Sequence, residues 1–323
     1  MMMIKFAQLN FKKPKDKPDK DTIISKAAGA LQNWYIDRYN PYTQEDRILL
    51  DKEGYEVGLP FTAEEAMENE KRILSLTERT LGALEDQGVG IIIPPEDYTF
   101  DFPNRIPIAE GRKLFPFFML PAVEKALKLK GKALKDAEIF IVCQDKDLAF
   151  LILDQLYPHV NHLSLLVDDP EEDVYQSWMR HIFSETGLNI NIYEKDKSRL
   201  TTADVIINTC TPRPAADHAY KREAIYFELG KDKAGAVELA RKREDIMVTD
   251  GLILKSGGES VFLPQAEAVL YTKSRAYQSL LRRGFDPETA EQAGKELEDL
   301  ALKPYRLRFT IPRTRDQIAP RAN

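Results

Sequence analysis

The sequence predicts an α/β fold, a parallel sheet with crossover helices preceded by an N-terminal α+β lobe. Three observations predict it. Glu138 to Cys143 is a short, β-branched apolar run, the mark of a strand buried on both faces. Asp147 to Tyr157 then carries Leu148, Phe150, Leu151, Leu153 and Leu156 at helical spacing, and His162 to Val167 is a second apolar strand ending on Asp168 and Asp169. The alternation continues afterwards: strands at Asp204–Asn208, Ala224–Leu229 and Ile246–Thr249, with a helix at Ala234–Lys242.

Strand, helix, strand, acid is the order of the first Rossmann unit, and Asp168 lies about 20 residues past the first turn, where ribose-binding acids sit. The turn itself departs from G-x-G-x-x-G. It reads Cys143-Gln144-Asp145-Lys146-Asp147, without a glycine. The sequence therefore predicts a Rossmann-like parallel sheet whose phosphate cradle has been rewritten.

The elements before it follow in order. Ile4–Phe11 reads as a short strand, and Lys12–Asp21 as a charged, proline-broken loop. Thr22–Tyr39 has helical spacing; its aromatic group Trp34, Tyr35, Tyr39 and Tyr42 fits core packing or a helix-end cluster better than a pocket wall. T-A-E-E at Thr62 is a capping box opening a helix through Leu84. Gly88–Pro95 is a strand stopped by prolines, and Gly111–Lys130 a helical region interrupted by Pro116 and Pro121. After Asp169 come a helix at Val174–Thr186 with Gly187 as its C-cap, and a strand at Asn189–Tyr193. Pro264–Arg282 reads as one long helix, and D-P-E-T at Asp286 caps another through Leu300. A basic tail with Arg306, Arg308, Arg313 and Arg315 reads as a solvated terminus. The division is a lobe at residues 1–121 and a Rossmann-like domain at 122–323, with any ligand expected between them.

Composition narrows the function classes. Of 323 residues, 43% are hydrophobic and 30% charged, as in ordinary globular proteins. A net charge of −6 argues against a nucleic-acid partner. Two cysteines, Cys143 and Cys210, make neither a disulfide framework nor a zinc site, and the four histidines form no spaced ligand pair, so no metal is expected. No apolar run is long enough to span a membrane and Met1–Ile4 leads no signal peptide, so the expected setting is cytoplasmic.

T-A-D-V-I-I-N-T-C-T-P at Thr202–Pro212 is similar to the A-D-[LV]-I-I-N-[AT]-[ST] segment of shikimate-dehydrogenase-like proteins. A-I-Y-F-E-L-G-K-D-K resembles the following strand, with Glu228 where that family often has Asp. V-T-D-G-L-I-L and L-P-Q-A-E-A-V-L-Y resemble their D-G-x-x-M-L-x-x-Q-A stretch. The lead-in A-V-E-K-A-L-K-L-K-G-K-A-L-K-D-A-E-I-F-I-V also resembles acyl-carrier-protein reductases. The resemblance covers about Ala122 to Tyr271. It implies NAD or NADP as cofactor and a small polar substrate. The family's N-V-T-x-P-x-K motif has no counterpart: the nearest stretch is G-I-I-I-P-P-E, without Asn, Thr or Lys. The reductases' cysteine likewise has no counterpart near Gln265.

The candidate site residues follow from both readings. Gln144, Asp145 and Asp168 stand where a cofactor would lie, and Asp147 is the expected N-cap of the first helix. Asp168 is either a ribose acid, which would favour NAD over NADP, or a helix cap before Pro170. Asn208, Thr209 and Thr211 follow a strand end and hold a ligand or form a simple polar turn. Cys210, with His218 nearest in sequence, reads as a structural thiol rather than a nucleophile. The resemblance adds Asp250 as a catalytic candidate and Gln265 as a substrate ligand. Lys113 is the candidate acid or anion anchor of the N-terminal lobe, with a solvated basic turn as the alternative. Two function classes result: an NAD(P)-dependent oxidoreductase, or a catalytically silent Rossmann-like protein that binds a small ligand or a protein partner.

Overall fold

The computed structural model describes residues 4–12, 23–95, 98, 102–103, 105–194, 197–210, 219–230, 233–284 and 286–310. The chain divides into two compact units, residues 1–110 with 264–274, and residues 111–263 with 275–323.

The first unit begins with β1 (Lys5–Asn10), α1 (Ile23–Tyr39), the hairpin β2 (Thr43–Leu49) and β3 (Lys52–Gly58), α2 (Ala63–Glu68), α3 (Glu70–Asp86) and β4 (Val89–Ile93). Its sheet runs β2-β3-β1-β4, with β1 parallel to β3 and β4 and only the hairpin antiparallel. The expected capping box is present: the Thr62 hydroxyl accepts from the Glu65 N–H at 3.2 Å, and the Glu65 carboxylate accepts from the Thr62 N–H at 2.8 Å. The helix it opens is two helices. Asn69 ends α2 with an extended φ of −143° and its side chain accepts from the Arg72 N–H to start α3. Ile73, Leu76, Thr77, Thr80, Leu81 and Leu84 make the buried stripe of α3 at spacings of three and four.

The β2–β3 hairpin escapes the sequence reading for a physical reason. β2 has no buried residue, so it shows no apolar alternation, and its two-residue turn is Leu50-Asp51 with φ of 48° and 60°. Asn-Gly is the usual signal for that turn, and a leucine hides it. The aromatic group divides: Trp34, Tyr35 and Tyr39 form a helix-end cluster, 58, 50 and 60% exposed, with the Tyr35 and Tyr39 rings 5.0 Å apart, whereas Tyr42 packs against the core. Tyr35 also lines a pocket, the role the sequence reading ranked lower. The charged stretch 13–21 lies outside the described residues.

The second unit follows with α4 (Met119–Leu129), β5 (Glu138–Val142), α5 (Lys146–Leu156), β6 (His162–Val167), α6 (Asp173–Thr186), β7 (Asn191–Glu194), β8 (Val205–Asn208), β9 (Ile225–Glu228), α7 (Ala234–Lys242), β10 (Met247–Ser256) and β11 (Glu259–Phe262). Then α8 (Leu263–Lys273) returns to the first unit, and α9 (Arg275–Arg283), α10 (Pro287–Glu298) and β12 (Lys303–Phe309) complete the second. Pro116 sits in a single 3-10 turn before α4, and Pro121 in the first turn of α4, where its missing N–H has no intrahelical partner to lose. The expected long helix from Pro264 to Arg282 breaks at the buried Ser274 between α8 and α9.

The second sheet runs β7-β6-β5-β8-β9-β10, all parallel. Counted from β5 this is the 3-2-1-4-5-6 order of a doubly wound Rossmann sheet, so the α/β, Rossmann-like fold expected from the sequence is the fold observed. β8 and β9 are buried along their whole length, and six consecutive residues of α5, Leu148–Leu153, are buried. β10 runs on past the expected Thr249. It turns at Gly257-Gly258, with φ of 57° and 96°, into antiparallel β11, and on its other side pairs antiparallel with β12. Arg306 and Arg308 therefore belong to a strand and not to a solvated tail; Arg313 and Arg315 lie outside the described residues. Among the described residues no helix is long and apolar enough to cross a membrane.

Candidate functional site

β5 and β8 lie side by side, and the chain leaves β5 toward β6 on one side and β8 toward β9 on the other. Their carboxyl ends mark the topological switch point where open α/β sheets place ligands. The turns at that point are Cys143–Asp145 and Asn208–Cys210.

Thr209 joins the two turns. Its hydroxyl, in a residue only 2% exposed, accepts from the backbone N–H groups of Gln144 at 3.2 Å and Asp145 at 3.3 Å, and donates to the Val142 carbonyl at 3.1 Å. Asp145 caps α5, its carboxylate accepting from the Leu148 N–H at 3.2 Å. The sequence points to Asp147 as the cap. Asp147 is already inside the first turn, whereas Asp145 has the extended φ and ψ of −92° and 101° that a cap residue needs. Asp147 instead lies against Gly284, where a Cβ would come within 2.7 Å of its carboxylate. Arg112 completes the arrangement, pairing with Asp145 at 2.8 Å and donating from Nε to the Leu229 carbonyl. Three backbone N–H groups at this turn, those of Gln144, Asp145 and Leu148, are thus taken by a hydroxyl and a carboxylate of the chain itself.

Behind this turn sits a buried carboxyl that the sequence reading noted only as a replacement for the resembled family's Asp and did not count among the site candidates. Glu228, at the end of β9, is 1% exposed. It accepts from the Gly230 N–H at 2.7 Å, from the Asn208 amide at 3.0 and 3.2 Å, and from the Tyr226 hydroxyl at 3.2 Å. Burial pushes its carboxyl up to about 7, against the pull of those three donors and of Lys233. Asn208 also bonds both backbone groups of Cys210, at 3.3 Å each. Gly230 has no room for a side chain: a Cβ would stand 2.2 Å from the Cys210 carbonyl oxygen. A glutamate inside the apolar run A-I-Y-F-E-L is the signal that identifies this group, since charged residues are rarely buried without partners. Cys143 lies 3.5 Å from the Tyr175 hydroxyl, and burial with that contact raises the tyrosine above its usual range.

The other candidates are dispersed. Asp168 is exposed at the end of β6, and the cap of α6 is Glu172, so Asp168 is not the helix cap. Asp250 pairs with Lys233 at 3.2 Å and with Arg308 at 3.0 Å, and Lys113 donates to the Leu281 carbonyl at 3.4 Å; no bond or ion pair joins the two. Gln265, on α8 in the first unit, donates to Gln8 of β1 at 3.3 Å. Thr211 and His218 lie outside the described residues. Among the described residues no group of three or more His, Cys, Asp or Glu is placed to hold a metal ion.

No family model and no curated protein matches the chain. Among solved structures, L-tryptophan dehydrogenase from Nostoc punctiforme is similar at 12% identity over 92% of this chain and 80% of that one, with a TM-score of 0.36. Malic enzyme from Entamoeba histolytica is similar at 11% identity over 97% of this chain and 72% of that one, TM-score 0.37. Shikimate 5-dehydrogenase from Listeria monocytogenes, in complex with shikimate and NAD, is similar at 10% identity over 89% of this chain and 95% of that one, TM-score 0.32.

Proposed function

We propose that this chain is a catalytically silent Rossmann-like protein that acts by binding a small ligand or a protein partner. One observation carries the reading: the Thr209 hydroxyl and the Asp145 carboxylate occupy the N–H groups of Gln144, Asp145 and Leu148, the positions from which a dinucleotide phosphate would be held. A pyrophosphate arriving there also meets the carboxylate of Asp145, which Arg112 only partly offsets. The polar candidates have structural partners: Asn208 holds Glu228, and Asp250 holds Lys233 and Arg308.

A second reading, an NAD(P)-dependent oxidoreductase acting on a small polar substrate, is favoured by the strand order and by the exposed Asp168 at the end of β6. Calorimetric titration with NAD and NADP decides between them. The first reading expects no saturable binding of either by the wild type. Binding with a Kd of about 10 μM or tighter, NAD ahead of NADP, and lost in Asp168→Ala, would establish the second.

A further inference from the structure

The first unit contains a pocket of about 430 Å³, within the size range of small-ligand sites. We propose that it binds a small, flat, apolar-bodied monoanion of the aromatic carboxylate class. The inference goes beyond the reading above and holds whether or not the second unit takes a dinucleotide.

Position is the first argument. β1 and β3 are adjacent parallel strands, and the pocket lies at their carboxyl ends: Phe11 and Lys12 follow β1, and Gly58 and Leu59 end β3. Carboxyl ends of parallel strands are where α/β sheets present loops to ligands. The floor there is fixed, because the Leu59 N–H donates to the Asn10 carbonyl at 2.8 Å and the Lys12 N–H to the Phe61 carbonyl at 3.0 Å.

The lining sets the ligand. α1 closes one side with Tyr35, whose ring is half exposed, and the buried Ile36. Phe11, just past β1, also lines it, its ring 6.2 Å from that of Phe61. Two aromatic rings and aliphatic carbon suit a flat apolar body. Among the described lining residues Lys12 is the one charged group and none is a carboxylate, so a single negative charge on the ligand is matched by one cation there. Gln32 and Thr43 supply neutral hydrogen-bonding groups. Glycine at position 58 keeps the Thr43 hydroxyl in place, since a Cβ there would approach it to 2.4 Å.

The test uses the full chain, with 2-naphthoate as probe and uncharged 2-naphthylmethanol beside it, each titrated by calorimetry. The expected result is saturable 1:1 binding of 2-naphthoate, weakened about tenfold by Lys12→Gln, as loss of a charge-assisted contact requires. The neutral probe should bind wild type and Lys12→Gln alike. Gln32→Trp, on the exposed face of α1, should block both probes with an unchanged circular dichroism spectrum. Asp145→Ala, in the other unit, should leave probe binding unchanged. No saturation by 2-naphthoate up to about 5 mM would overturn the proposal. So would binding that survives both Lys12→Gln and Gln32→Trp, which would place the probe elsewhere.

Discussion

Asn208 and Glu228 are register partners on adjacent parallel strands, and the Asn208 amide nitrogen lies 3.0 and 3.2 Å from the two carboxylate oxygens. A carboxyl held in this way by burial titrates near neutrality. Its folded value of about 7 stands above the ordinary glutamate value of 4.5, so between these values the folded state holds a proton that the unfolded chain has released. The contribution is fully present below the unfolded value and is lost as pH rises through the folded one. We expect stability to fall between about pH 4.5 and pH 7 by up to roughly 3 kcal/mol from this group, and Glu228→Gln to flatten that slope. Urea midpoints of both proteins across this range are the measurement; parallel slopes would sink the assignment.

Thr209→Val should cost about 2 kcal/mol, because it removes the acceptor of two N–H groups in a part-buried turn. Thr209→Ser keeps the hydroxyl and should cost less than about 1 kcal/mol. Denaturant unfolding of the pair beside the wild type checks this. Equal losses in both variants would mean that the methyl group, and not the hydrogen bonds, carries the effect.

Asp204, preceding β8, pairs with Lys132 and Lys221 and accepts from the Glu138 N–H at 3.0 Å. Burial alone would raise its carboxyl; the two lysines and the N–H outweigh it and hold it below the usual range. Its contribution is therefore present above the unfolded value and lost as pH falls through the lower folded one. Asp204→Ala should cost about 2 kcal/mol at pH 7, and the gap from wild type should close below about pH 4. A gap that does not narrow at all as the pH falls from about 4 to about 2 would show that packing, not charge, is at stake.

Gly230→Ala should destabilise by more than about 2 kcal/mol, since its Cβ meets a backbone oxygen that cannot swing aside. Gly187→Ala is the comparison. Gly187 has φ of 75° but nothing within 4 Å, so only the left-handed backbone is penalised, at about 1 kcal/mol. The ratio of the two losses, read from thermal unfolding, tests whether close approach is the cause.

Much of the second sheet is legible in the sequence because its strands are buried on both faces. β5, β6, β8 and β9 are continuous apolar runs, and the helices between them keep helical spacing. Legibility fails where strands are polar or turns are unusual. β2 carries no buried residue, and β12 has only Leu307 buried among charged neighbours. The Gly257-Gly258 turn was a readable hairpin signal that the strand ending at Thr249 concealed. At the candidate site the missing glycines mark a rewritten turn. The residue that takes two of its N–H groups, Thr209, follows a different strand, and no local pattern predicts that a hydroxyl 64 residues away will take the Asp145 N–H.

The two units are threaded through each other along the chain. α8 belongs to the first unit, and Tyr271 within it is 1% exposed, yet it is made only after the whole parallel sheet of the second unit. β12 in turn pairs with β10 from positions some 60 residues later, Phe309 opposite Thr249. During synthesis, at roughly 5–20 residues per second, residues 1–110 therefore wait many seconds for the helix that completes them. In that interval the apolar surface that α8 buries in the finished unit stays open to solvent. A ribosome-bound chain halted at residue 110 should remain protease-sensitive, whereas one extended until residue 274 has cleared the exit tunnel should show the first unit protected.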